Sequence, residues 1–215
     1  MKIAASILNC NFLKLGDEIE KVQLAGIDAI HLDVMDGHFV PNLSFGVPLL
    51  KAIKPILKVP VLSHLMVNEP EKMIEYFISD SDGIIFHIEA TNKPNECLKL
   101  IEKAKKVAGI ALNPNTPIEQ VEPYLEFISE ILIMSVYPGF GGQKFIPETV
   151  TKIVKTKDII KNQTNPILIA VDGGVNLNNA QELIKAGADV LIAGTAIFHS
   201  QNYAETIRQF RSLQK

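Results

Sequence analysis

Eight short apolar runs, separated by amphipathic stretches, recur along the whole chain. They are Ile3–Leu8, Ala29–Val34, Val59–His64, Gly83–Ile88, Gly109–Leu112, Glu130–Ser135, Pro166–Val171 and Asp189–Ala193. Nearly continuous hydrophobicity suits parallel strands covered on both faces, not an antiparallel sheet with one wet face. The stretches between them read as helices. Residues 12–25 carry Leu15, Ile19 and Val22 at helical spacing with charges between them. "TPIE" at Thr116–Glu119 combines an N-cap, a first-turn Pro and a capping-box Glu, and "NEPE" at Asn68–Glu71 is a weaker start. Gly26 and Gly187 follow apparent helix ends. "AGIDAIHLD" and "AGADVLIAG" look like two copies of one helix–Gly–strand junction. Eight β/α units without a linker predict an α/β fold, a (β/α)8 TIM barrel forming a single domain over residues 1–215. An open doubly wound sheet is the second choice. The first strand lacks the G-x-G-x-x-G turn that such a sheet often carries.

Composition narrows the partners. With 21 Lys and Arg against 24 Asp and Glu, the formal charge is −3. That leaves no basic excess to neutralise nucleic acid. Lys99, Lys103, Lys105 and Lys106 read as a solvated helix face. Cys10 and Cys97 have neither metal spacing nor a disulfide framework. No apolar stretch approaches a membrane span, and the first run is too short for a secretory signal. The expectation is a cytoplasmic protein with a small-molecule substrate and no nucleic-acid or membrane partner.

Polar residues interrupt these strands at matching places. Ser6 lies late in the first strand, His31 and Asp33 late in the second. His64 ends the third, His87 the fourth, and Asp172 follows the seventh. Alternation puts His31 and Asp33 on one face. An ionised Asp in a dry interior must be paired or bind a metal. Each residue alone has a structural explanation, such as His87 pairing with Glu89. Together, two His and two Asp at one barrel mouth suit a divalent metal.

Glycine clusters follow strands six to eight: "PGFGGQ" (Pro138–Gln143), "DGGV" (Asp172–Val175) and "AGTAIF" (Ala193–Phe198). Glycine lets backbone amides approach an anion, and loops at this end of a barrel commonly cradle phosphate. Thr195 is placed to cap a short extra helix. Spacing makes Met35, Met66 and Met134 core filler, with an apolar wall over the site as the alternative.

"HLDVMDGHFVPN", "HLMV", "MSVYPGFGGQKF", "VDGGV" and "AGTAIF" resemble the signature segments of the ribulose-phosphate 3-epimerase family, and the likeness runs from "SILN" to the last helix. The resemblance implies one divalent cation (Zn, Fe(II), Mn or Co) on His31, Asp33, His64 and Asp172. It makes Asp33 and Asp172 the acid/base pair. Ser6 and His64 become substrate contacts. Gly139, Phe140, Gly141, Gly142, Gly173, Gly174, Gly194 and Thr195 become phosphate contacts. Met35, Met66 and Met134 become the apolar wall. It also implies a homo-oligomer.

The implied reaction inverts C3 of D-ribulose 5-phosphate to give D-xylulose 5-phosphate, in the pentose phosphate pathway. A carboxylate of pKa about 4 is a weak base for a carbon acid, and a metal-stabilised enediolate supplies the missing driving force. Inversion needs one carboxyl on each face of the sugar. A hexulose-phosphate 3-epimerase, such as one for D-allulose 6-phosphate, is the alternative. A non-catalytic sugar-phosphate-binding paralogue is a third reading. The chain departs from the family pattern at Ala5, Asn11, Leu62, Ile88, Tyr137 and Ala170. Leu62 stands where Asp is usual and shares the inward face of His64, so Leu62 and Tyr137 are the places to look for altered rate or substrate choice.

Overall fold

The computed structural model describes residues 1–214. Eight parallel strands form a closed barrel in chain order: β1 (Lys2–Ser6), β2 (Ala29–Met35), β3 (Val61–Met66), β4 (Gly83–His87), β5 (Val107–Leu112), β6 (Glu130–Met134), β7 (Leu168–Asp172) and β8 (Val190–Ala193). β8 pairs with β1, with Ala5 opposite Ala193, and leaves no free sheet edge. Helices α1 (Leu15–Leu24), α2 (Val47–Ile53), α3 (Ile74–Phe77), α4 (Pro94–Lys103), α5 (Thr149–Ile160), α6 (Ala180–Ala186), α7 (Thr195–Phe198) and α8 (Tyr203–Ser212) complete the chain. No helix among the described residues is long and apolar enough to cross a membrane.

Three helix starts differ from the sequence expectation. "TPIE" opens a 3-10 helix, Ile118–Phe127, not an α-helix, and Thr116 does not cap it. Pro123 inside it lacks the N–H that an α-helical ladder needs. "NEPE" opens another 3-10 turn, Pro70–Lys72, entered through Glu69 at φ 52°. Thr195 is the first residue of α7, whose N-cap is Gly194, so the expected threonine cap is not made.

The repeated junction has a structural cause. Asp28 accepts a hydrogen bond from Ile3 N–H at 2.7 Å, and Asp189 accepts one from Ile169 N–H at 3.0 Å. Each thereby ties the entry of its strand to the start of the preceding one. Asp82 does the same for Val61 N–H at 3.0 Å. That third copy escapes the sequence comparison because "SDSDGIIF" lacks the Ala-Gly step.

Alternation then sorts the core. On β2, Ile30, Leu32 and Val34 join the apolar layer between barrel and helices. His31, Asp33 and Met35 project inward. The interior is filled by large residues such as Leu62, Ile85, Leu132 and Ile192 against small ones such as Ala4, Ala111 and Ala170. Gly109 belongs to this scheme: a Cβ there would lie 2.9 Å from Ile85.

One interior residue is out of character. Glu130 begins β6 on the inward face and is only 5% exposed. Burial pushes its carboxyl up to about 7, against the opposing pull of His31 and Lys2. A folded-state pKa above the unfolded value means that stability is lost as pH rises between the two. The loss runs from about pH 4.5 to about pH 7 and reaches at most about 3 kcal/mol. Glu130→Gln should remove this slope and leave the variant more stable than the parent at pH 8. Denaturant melts across that range check it; parallel stability curves would contradict it.

Candidate active site

The strands deliver their polar residues to one point at the C-terminal mouth. Ser6 Oγ donates to Asp33 Oδ2 at 2.7 Å. Asp33 Oδ1 lies 3.0 Å from His64 Nδ1 and 3.2 Å from His31 Nε2. The two ring nitrogens are 3.2 Å apart. Asp172 Oδ2 completes the group, 3.7 Å from His31 Nε2 and 4.0 Å from His64 Nδ1. His31, Asp33 and His64 are buried, while Asp172 keeps 15% of its side chain exposed toward the cavity.

The register explains the convergence. Asp33 pairs with His64 across β2 and β3, and Ser6 pairs with His31 across β1 and β2. Main-chain contacts hold the carboxylates from behind. Ser135 N–H donates to the Asp172 carbonyl at 2.7 Å, and the Ser135 hydroxyl reaches the same oxygen at 2.9 Å. Ser44 Oγ donates to the Asp33 carbonyl at 2.5 Å.

Crowding perturbs every member of the group. Burial pushes the Asp172 carboxyl up, and the charge on Asp33 adds to it. Burial opposes ionisation of Asp33 too, but His31, with His64 behind it, outweighs it and holds that carboxyl far below the usual range. Burial alone would depress His31, yet the charge and hydrogen bond of Asp33 carry it up to about 9. Burial dominates at His64 and pushes it down to about 3.

Four donor atoms, all within 4.8 Å of one another, fit a small cation. Ligand bonds of about 2.1 Å in a tetrahedral set imply donor–donor edges of about 3.4 Å. Two imidazoles with two carboxylates form a donor set accepted by several first-row divalent ions.

Above the group lies a cavity of about 300 Å³. Ser6, Asp33 and Asp172 line its floor, and Met35, Met66 and Met134 its wall. The glycines of all three clusters (Gly139, Gly141, Gly142, Gly173, Gly174 and Gly194) line it, together with Phe140 and Thr195. His31 and His64 lie beneath and do not line it. Neither does Tyr137, which is half exposed, nor Leu62, which packs within the barrel. Neither of the two departures tied to rate or substrate choice therefore lines the cavity.

Asn9 and Gln143 also belong to this wall, and the sequence reading missed them. Gln143 Nε2 donates to the carbonyls of Tyr137 at 2.7 Å and Phe140 at 2.9 Å, which curls the loop after β6. The Asn9 side chain occupies the space a Cβ on Gly141 would need, at 2.3 Å from its Oδ1. Gly173 is equally constrained: its φ is 114°, and a Cβ would lie 2.5 Å from Val136. "DGHFVPN" closes the rim. Asp36 accepts from His38 and Phe39 N–H at 2.8 and 2.9 Å, and Asn42 Nδ2 donates to Gly139 O at 2.7 Å.

Known proteins share both the sequence and the frame. The model of the ribulose-phosphate 3 epimerase family matches residues 2–198. A ribulose-phosphate 3-epimerase of Synechocystis sp. is 43% identical over 99% of this chain and 94% of its own length. One from Bacillus subtilis is 39% identical over 98% of each chain. Among solved structures, a 3-hexulose-6-phosphate synthase superposes with a TM-score of 0.75 over 100% of both chains at 16% identity, a likeness of fold alone. Sequence, barrel and site agree, and the chain belongs to the ribulose-phosphate 3-epimerase family.

Proposed function

We propose that His31, Asp33, His64 and Asp172 hold one divalent cation, and that Asp33 and Asp172 invert C3 of D-ribulose 5-phosphate from opposite faces. The observation that carries this reading is the convergence of four donor atoms from β2, β3 and β7 on the floor of a glycine-walled cavity. When bound, the ion supplies Lewis-acid stabilisation of the negative charge that develops beside C3. Zn, Fe(II), Mn and Co all suit the donor set.

The chain's own residues do the rest. Asp33 takes the C3 proton on one face. Asp172 returns a proton to the other, and the roles exchange in reverse. The two carboxyls come from β2 and β7, three strands apart around the closed barrel. Ser6, bonded to Asp33 Oδ2, orients the base and stands beside the sugar. Backbone amides of the three glycine clusters, with Thr195, receive the phosphate and fix the distance to C3. Met35, Met66 and Met134 exclude water from the reacting face.

Initial rates on D-ribulose 5-phosphate and D-allulose 6-phosphate, measured side by side, test the substrate. The expected result is a higher kcat/KM for the pentulose, because neither Tyr137 nor Leu62 lines the cavity. Preference for the hexulose would overturn this choice.

A further inference from the structure

Behind the metal-ligand group runs a chain of rings that the proposed reaction does not use. His64 Nε2 lies 2.9 Å from His87 Nε2. His87 Nδ1 lies 3.1 Å from Glu89 Oε2, and Glu89 Oε1 accepts from Asn113 N–H at 2.7 Å. His87 is fully buried, and its ring meets that of His64 edge to edge, with centroids 5.0 Å apart and planes 24° apart. Phe39, from the rim loop, packs against the His87 ring with centroids 4.9 Å apart. Lys152 Nζ donates to the Asn113 carbonyl at 2.7 Å, so α5 and the loop after β5 brace the outer end.

We propose that His87 and Glu89 are positioning residues that set the tautomer of His64, placing its proton on Nε2 and leaving the Nδ1 lone pair for the cation. This rests on the reading that the four ligands hold a divalent ion. The donor count supports it. If His64 carries its proton on Nε2, His87 Nε2 accepts, and the His87 proton sits on Nδ1. There it faces the Glu89 carboxylate, and every donor has an acceptor. Reversing both rings would point a lone pair of His87 at that carboxylate and a proton of His64 into the ligand group. Burial favours a neutral Glu89, but the hydrogen bond and charge of His87, with hydrogen bonds from Thr116 and Asn113, outweigh it and hold its carboxyl below the ordinary value, so it stays an acceptor. Outer partners of this kind orient metal-bound imidazoles, and losing one commonly weakens metal affinity about 10- to 100-fold.

Two measurements decide it. In the unaltered chain loaded with Zn(II), long-range proton–nitrogen NMR should find the proton of His64 on Nε2 and that of His87 on Nδ1. A proton on His64 Nδ1, or two on His87, would overturn the assignment. Chelator competition should then show His87→Phe binding Zn(II) about 10- to 100-fold more weakly. His87→Gln, whose amide oxygen can accept from His64, should recover most of that loss. Unweakened binding by His87→Phe, or equal weakening in both variants, would reduce His87 to packing. Failure of the unaltered chain to take up Zn(II) would sink the metal reading itself. Uptake with the other tautomers sinks only the positioning role.

Discussion

Asp172→Asn should lower kcat/KM for D-ribulose 5-phosphate by about 100- to 10,000-fold, the usual worth of a placed acid or base. Asparagine has the same shape and keeps an oxygen able to face the cation, but it cannot relay a proton. The fold should survive, because the main-chain carbonyl of the residue is anchored by the Ser135 N–H and hydroxyl whatever the side chain. KM should change little, since the glycine loops at the far end of the cavity are untouched. Steady-state rates on protein of verified metal content check this. A loss below about tenfold at full metal occupancy would remove Asp172 from the proton-transfer step. Asp33→Asn should do further damage, because Asp33 also accepts from Ser6 and stands against both imidazoles.

Stripping the divalent ion with a chelator should take activity to background, and adding back Zn(II), Fe(II), Mn(II) or Co(II) should restore it. Without the ion, Asp33 and Asp172 stand together on the cavity floor with the two imidazoles to offset their charge. Stability should fall as well, because an ion that binds only the folded state stabilises it by mass action. At 100 times its dissociation constant the contribution is about 2.7 kcal/mol. Thermal melts of stripped and reloaded protein provide that comparison. Full activity in protein shown to be metal-free would contradict the assignment.

The barrel was legible because buried parallel strands leave a plain pattern: eight apolar runs, with inward and outward faces set by alternation. His31, Asp33, His64 and Asp172 were legible for the converse reason. Charged or titratable residues stand out in such runs, and the barrel rule places strand ends together. What was missed depends on facts that local sequence does not carry. Pro123 converts a well-signalled helix start into a 3-10 helix. Tyr137 sits beside the glycine cluster, yet it faces away from the cavity. Asn9 gains its place only through the loop after β6. His87 does pair with Glu89 as its spacing suggested, but its contact with His64 depends on the register of β3 and β4, which no single strand reveals.

The most direct test of the account is NMR of the product formed from D-ribulose 5-phosphate in deuterium oxide by metal-replete protein. Proton removal by one carboxyl and return by the other predicts D-xylulose 5-phosphate carrying solvent deuterium at C3. Recovery of the pentulose with its C3 proton intact and its configuration unchanged would contradict the two-carboxylate site built here from His31, Asp33, His64 and Asp172.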